Sequence, residues 1–200
     1  DAAPATGQAV VPVTSQVPSV LEKAVHFAAA QGLVELLQTL LEAPVDASPS
    51  PNPPHQSEFF LPLHAAAGSG QPRSAEVLRI LLDHGEDPAV ATTAGTTATH
   101  LAAASGDVRA LQCLVSASAP VHVADADGQT PLHLAARAGA VDCVKLLLRR
   151  LEEPHSGRGL ECGHILDLPD VWGQTPIRWA VAGGHQCCVD ALLAAGATSS

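Results

Sequence analysis

Ten histidines and five cysteines are the residues of this 200-residue chain best suited to bind a metal, move a proton or attack a substrate. Four of the histidines, His26, His64, His100 and His133, recur at intervals of 38, 36 and 33 residues, with Arg178 a further 45 on. Such spacing puts one ring on each of several successive elements. The rings are then on the order of 10 Å apart, the separation of packed helices, which is too far for one ion. A structural role is the better reading of these four. His155, Cys162 and His164, with Cys187 and Cys188 downstream, form the one zinc-like group, but they lack a paired C-x-x-C spacing and lie partly in a Pro/Gly-rich loop. Glu152 and Glu153 are paired carboxylates without a nearby base, and no G-x-S-x-G, phosphate-loop or dinucleotide glycine pattern occurs. Asp125, Asp127 and Gly128 have a calcium-loop look, but no Glu follows at the twelfth position. A hairpin turn accounts for them. The expectation is a chain with no catalytic residue, no resident metal and no cofactor.

The elements carrying these residues repeat. Segments starting at Gly95, Gly128 and Gly173 (GTTATHLAAASGDVRALQCLV, GQTPLHLAARAGAVDCVKLLL, GQTPIRWAVAGGHQCCVDALL) align well, and those from Glu22 and Phe59 align in part. Within a unit, Leu132, Ala135 and Ala136, then Val141, Val144, Leu147 and Leu148, mark two short helices with Gly139 between them. Helices so short are marginal alone and must bury a face against neighbouring units. Pro131 suits a first helical turn, Thr130 the N-cap before it, and His133 can bond Thr130 or a neighbouring hairpin. Ser19 and Glu22 have capping-box spacing, so structure is expected from Ser19, after a flexible lead-in over residues 1–18.

The run from Asp125 to Gly139, DADGQTPLHLAARAG, iterated at 33 residues, closely resembles the ankyrin repeat. The resemblance covers about residues 20–197. It implies an all-α solenoid of stacked helix-turn-helix repeats with short hairpin loops, and a protein-binding role. The domain is placed at 19–200, with repeats near 20–45, 58–90, 93–124, 126–153 and 171–197 and insertions near 43–57 and 151–169. Unit one carries Lys23, Ala24 and Val25 in place of Thr, Pro and Leu, as suits a terminal cap whose outer face meets water. Unit three has Ala98 and Thr99 for Pro and Leu, and unit five has Arg178 for His. Unit five is read as a second cap.

Composition agrees with tightly packed helices: 46% of residues are hydrophobic, nearly all Ala, Leu and Val, and only 2% are aromatic. A formal charge of −10 repels nucleic acid and anionic membranes and favours a basic partner. Odd, apolar-flanked cysteines suit a reducing, intracellular compartment, cytoplasmic or nuclear. No apolar run approaches the ~20 residues of a membrane span. With no Met in the sequence, missing targeting signals carry no weight.

The resemblance places partner contacts at hairpin tips and on the first helix of each unit before its glycine. Residue by residue these are Thr93, Ala94 and Thr96; Ala104 and Ser105; Ala126, Asp127 and Gln129; Arg137 and Ala138; and Trp172 and Gln174. Phe59 and Phe60 take a similar place in unit two. The expected partner is a protein or peptide, held as a helix or extended segment by a chain monomeric by itself, acting as scaffold or adaptor. Trp172, at a tip, or Phe60 is the candidate anchor, and Trp179, in a Leu slot, is better read as packing. Two alternatives remain: the regulatory or substrate-recognition part of a larger enzyme, and a reader of methylated lysine caged by Trp172 and Trp179.

Overall fold

A computed structural model of the chain describes residues 20–42, 61–152 and 165–198. Residues 1–19, including Ser19 and the expected lead-in, fall outside it, as do Phe59, Phe60, His155, Cys162 and His164. Ten helices are seen among the described residues: α1 Val20–Gln31, α2 Val34–Glu42, α3 Pro62–Gly68, α4 Ser74–Asp83, α5 Ala98–Ser105, α6 Val108–Ser116, α7 Pro131–Ala138, α8 Val141–Glu152, α9 Pro176–Ala182 and α10 Gln186–Ala194. They pair as consecutive antiparallel hairpins. The first helices stack in one row (α1, α3, α5, α7, α9) and the second helices in another (α2, α4, α6, α8, α10). No strand occurs among the described residues beyond an isolated bridge between Ala91 and Thr97. The architecture is the expected all-α solenoid.

Side-chain size explains the close stacking. The first helices meet through alanines: Ala66, Ala67, Ala102, Ala103, Ala135 and Ala136 have no exposed surface. Leucines of the second helices, among them Leu78, Leu81, Leu111, Leu114, Leu147 and Leu192, fill the space between the rows. The turn between α7 and α8 is made by Gly139 at φ 70°, a left-handed backbone that carries no Cβ penalty only in glycine. Asp107 caps α6 by accepting the Arg109 and Ala110 N–H groups at 3.0 Å, and its other oxygen accepts the Ser74 hydroxyl of the preceding unit. α8 runs on to Glu152, and Ile165 and Leu166, from the stretch set apart as an insertion, are core residues only 6% and 3% exposed.

The first and last units both carry exposed apolar side chains. Phe27, Leu33 and Leu36 of the first unit are 57%, 40% and 42% exposed, and Val181 and Leu193 of the last are 62% and 45% exposed. The equivalents of Leu36, Val181 and Leu193 in unit four, Cys143, Ala136 and Leu148, are buried.

Candidate protein-binding surface

Three hairpins of identical design project from the stack. In each, the first residue donates its N–H to the fifth residue's carbonyl: Thr92 to Thr96, Asp125 to Gln129 and Asp170 to Gln174, all at 2.9 Å. A side-chain oxygen of that first residue accepts the fifth residue's N–H in return, at 3.2, 2.8 and 2.8 Å. The turn is thus closed twice, and its tip is held rigid. Successive tips join as well: Ala126 N–H donates to the Ala94 carbonyl at 2.8 Å, and Val171 N–H to the Asp127 carbonyl at 3.0 Å.

The histidine slot fixes each hairpin to its own helix and to the next unit. His133 Nδ1 accepts the Thr130 N–H at 3.1 Å and faces its hydroxyl at 2.9 Å, while Nε2 donates to the Leu168 carbonyl at 3.0 Å. His100 repeats this with the Thr97 N–H and hydroxyl at 3.1 and 2.8 Å and the Gln129 carbonyl at 3.1 Å. A carbonyl partner at Nε2 requires the proton there, so Nδ1 is the acceptor and the ring is neutral. Burial accordingly lowers the pKa of His64, His100 and His133. Both sequence-derived roles, bonding to Thr130 and to a neighbouring hairpin, are present.

The departures from the motif leave matching gaps. In unit two Leu61 stands where Thr would, and His64 Nδ1 is buried without a partner. In unit five Arg178 stands where His would, and Thr175 Oγ1 is the buried group without one. Each is half of the same missing pair.

Of the sequence-derived contact residues, Thr93 and Ala94, Ala126 and Asp127, Ala104 and Ser105, and Arg137 and Ala138 are exposed, and Thr96 and Gln174 are half-buried. Trp172 is 58% exposed at its tip. Gln129 is a correction: it is 4% exposed, with its amide NH₂ donating to Asp170 Oδ2 at 3.4 Å and its oxygen accepting from Arg137 Nη1 at 3.3 Å. Its position at the foot of the hairpin turns it into the join between units. Phe59 and Phe60 lie outside the described residues. Val171, 62% exposed beside Trp172, was not singled out. Two bulky residues where other tips carry Thr93-Ala94 and Ala126-Asp127 were the available signal.

Asp170 organises the surface beneath Trp172. Burial alone would raise its pKa, but hydrogen bonds from the Gln174 N–H, the Trp179 indole, the Gln129 amide and the Trp172 N–H outweigh it and hold the carboxyl below its usual value. Trp179 Nε1 donates to Asp170 Oδ2 at 2.8 Å, and the Arg137 guanidinium lies over the Trp179 ring, 5.6 Å from its centroid. That ring is therefore a packing residue. Its occupied face is the place a methylated lysine would need. Among the described residues no group of three His, Cys, Asp or Glu side chains is placed to hold a metal ion. No described helix is long and apolar enough to cross a membrane.

Three overlapping matches to a family model for ankyrin repeats span residues 25–120, 63–156 and 99–199. The chain belongs to the ankyrin repeat family. Ankyrin repeats are in general protein-interaction modules. The chain matches no curated protein.

Proposed function

We propose that this ankyrin repeat chain is a scaffold or adaptor that seats a helical or extended peptide along its hairpin tips and first-helix face. The observation that carries the reading is Trp172. A large aromatic side chain 58% exposed is costly in water, and here it is presented on a turn whose N–H groups at Trp172 and Gln174 are held by Asp170 Oδ1 at 2.9 and 2.8 Å. An aromatic anchor that loses little freedom on binding is the usual energetic centre of an interface. Around it, Thr93, Ala94, Ala104, Ser105, Ala126 and Ala138 are small and let a backbone approach, while Asp127 and Arg137 supply one charge of each sign. The formal charge of −10 speeds the approach of a basic partner.

The test is affinity capture from a cell extract, comparing the chain with a Trp172→Ala, Asp127→Arg variant of equal helicity by circular dichroism. A partner kept by the parent and lost by the variant supports this surface. A partner kept equally by both overturns it.

A further inference from the structure

Arg137 is the one Lys or Arg among the sequence-derived contact residues, and it is exposed in the last turn of α7. Both of its ends are held. Its carbonyl accepts the His185 Nε2 proton at 3.2 Å, and that ring is set against Gly139 and Gly183, where any Cβ would collide with it. Its guanidinium lies over the Trp179 ring, 5.6 Å from the centroid, and Nη1 donates to Gln129 Oε1 at 3.3 Å. Gln129 and Trp179 in turn donate to Asp170 Oδ2, while Asp170 Oδ1 accepts the Trp172 N–H. The cation and the aromatic anchor thus belong to one bonded group that spans units four and five.

This cation is short of an anion. A guanidinium carries five N–H donors, and the one used here makes a long bond to a neutral amide. Ion pairs among the described residues join Arg73 to Glu35 and Glu76, and Arg79 to Asp83, and leave Arg137 out. The Asp170 carboxylate within the group is already taken up by the N–H groups of Trp172 and Gln174, the Gln129 amide and the Trp179 indole. We propose that the peptide seated on this surface carries an Asp or Glu side chain that pairs with Arg137, beside the apolar residue that packs on Trp172. The inference rests on the peptide-binding reading above and adds the chemistry that its partner brings.

The planar fork of Arg matches a carboxylate with two parallel N–H bonds, and a cation already held on a ring loses little freedom on pairing. A phosphate group, with about twice the charge, is usually met by a cluster of Arg. Here one stands alone, with Asp125, Asp127 and Asp170 in the adjoining turns. A net charge of −10 also repels a peptide that is acidic throughout. The occupant is a neutral or basic peptide with a single acidic residue at this place.

The test is selection of random peptides displayed on phage against the full chain, followed by titration of a labelled synthetic copy of the best binder. Binders are expected to share an Asp or Glu at a fixed spacing from an apolar or aromatic residue. Changing that acid to its amide should weaken binding about tenfold or more. Arg137→Gln, checked for equal helicity, should weaken it by a similar factor, and the two changes together should lose no more than either alone. Selection against Arg137→Glu should enrich Lys or Arg at the same place. Should Arg137→Gln lose helicity, Arg137→Lys replaces it: it keeps the charge without the fork, and should weaken the acidic peptide but not its amide form. Binders that need Trp172 but share no acid, or an acid whose loss adds fully to that of Arg137, overturn this inference and leave the peptide reading standing. Binders indifferent to Trp172→Ala, or no binder at all, overturn the peptide reading and this inference with it.

Discussion

Threonine-to-valine exchange at three equivalent positions isolates the Thr–His pair with an internal control. Valine has the shape of threonine without its hydroxyl, so packing and β-branching are kept. At Thr97 and Thr130 the hydroxyl lies 2.8 and 2.9 Å from a buried His Nδ1 that also accepts the backbone N–H at 3.1 Å. Losing the hydroxyl removes one bond without orphaning the ring, a cost of about 1–2 kcal/mol. At Thr175 the hydroxyl is buried without a partner. Its removal relieves a desolvated group, so Thr175→Val should be neutral or stabilising by up to about 1 kcal/mol. Thermal denaturation followed by circular dichroism reads the difference, at about 2–4 °C per kcal/mol for a domain of this size. Because a terminal unit can fray before the rest, the decisive comparison is made in an Arg178→His background. There Thr175 gains the missing Nδ1, and Thr175→Val should acquire a cost of about 1 kcal/mol that it lacks in the parent. If Thr175→Val costs as much as Thr130→Val in the parent, or if Arg178→His does not change its cost, the paired-gap reasoning is wrong.

Two further outcomes concern pH and the turn glycine. The lowered pKa values of His64, His100 and His133 mean that the unfolded chain binds protons first, so their contribution is intact above about pH 6.5 and is lost as pH falls below it, by up to about 1.4 kcal/mol per pH unit for each ring. Glu86 acts in the opposite sense: burial raises its pKa to about 7, partly offset by a hydrogen bond from the Leu63 N–H, so it favours the folded state below pH 4.5 and progressively less up to pH 7. Urea midpoints at pH 7.5 and 5.5 should therefore drop more steeply on acidification in Glu86→Gln than in the parent, and Glu86→Gln should be the more stable protein at pH 7.5. An equal drop in both removes Glu86 from the account. Gly139→Ala should cost several kcal/mol, since φ is 70° and the new Cβ would lie 2.5 Å from His185 Nδ1. The same change at Gly184, also at φ 70° but with nothing within 4 Å, should cost about 1 kcal/mol. Equal costs would mean that the His185 ring moves aside freely.

The fold was legible because its determinants are local. Thr130, Pro131, His133 and Gly139 act within one unit, on a helix start and a helix end, and iteration at a fixed period reveals them without knowledge of any neighbour. The roles of His100 and His133 followed from the same slots. Gln129 did not, because its burial depends on Asp170, 41 residues on across an insertion, and on Arg137, which lies over Trp179. Units three and four do not share that arrangement, since Leu134 stands where unit five has Trp179. A substitution in one unit thus changed the environment of a residue in the unit before it, which a unit-by-unit alignment cannot register.

The same distinction explains the ends. Lys23 and Arg178 are departures from the motif, and departures at a terminus suggest a polar cap. Yet the outer face of a unit is set by the slots that face the adjoining unit, and those in unit one hold Phe27, Leu33 and Leu36. Motif slots report how a unit folds; facing slots report what it stacks on. In a solenoid each unit is stable only through its neighbours, so the second set carries the information about how units stack.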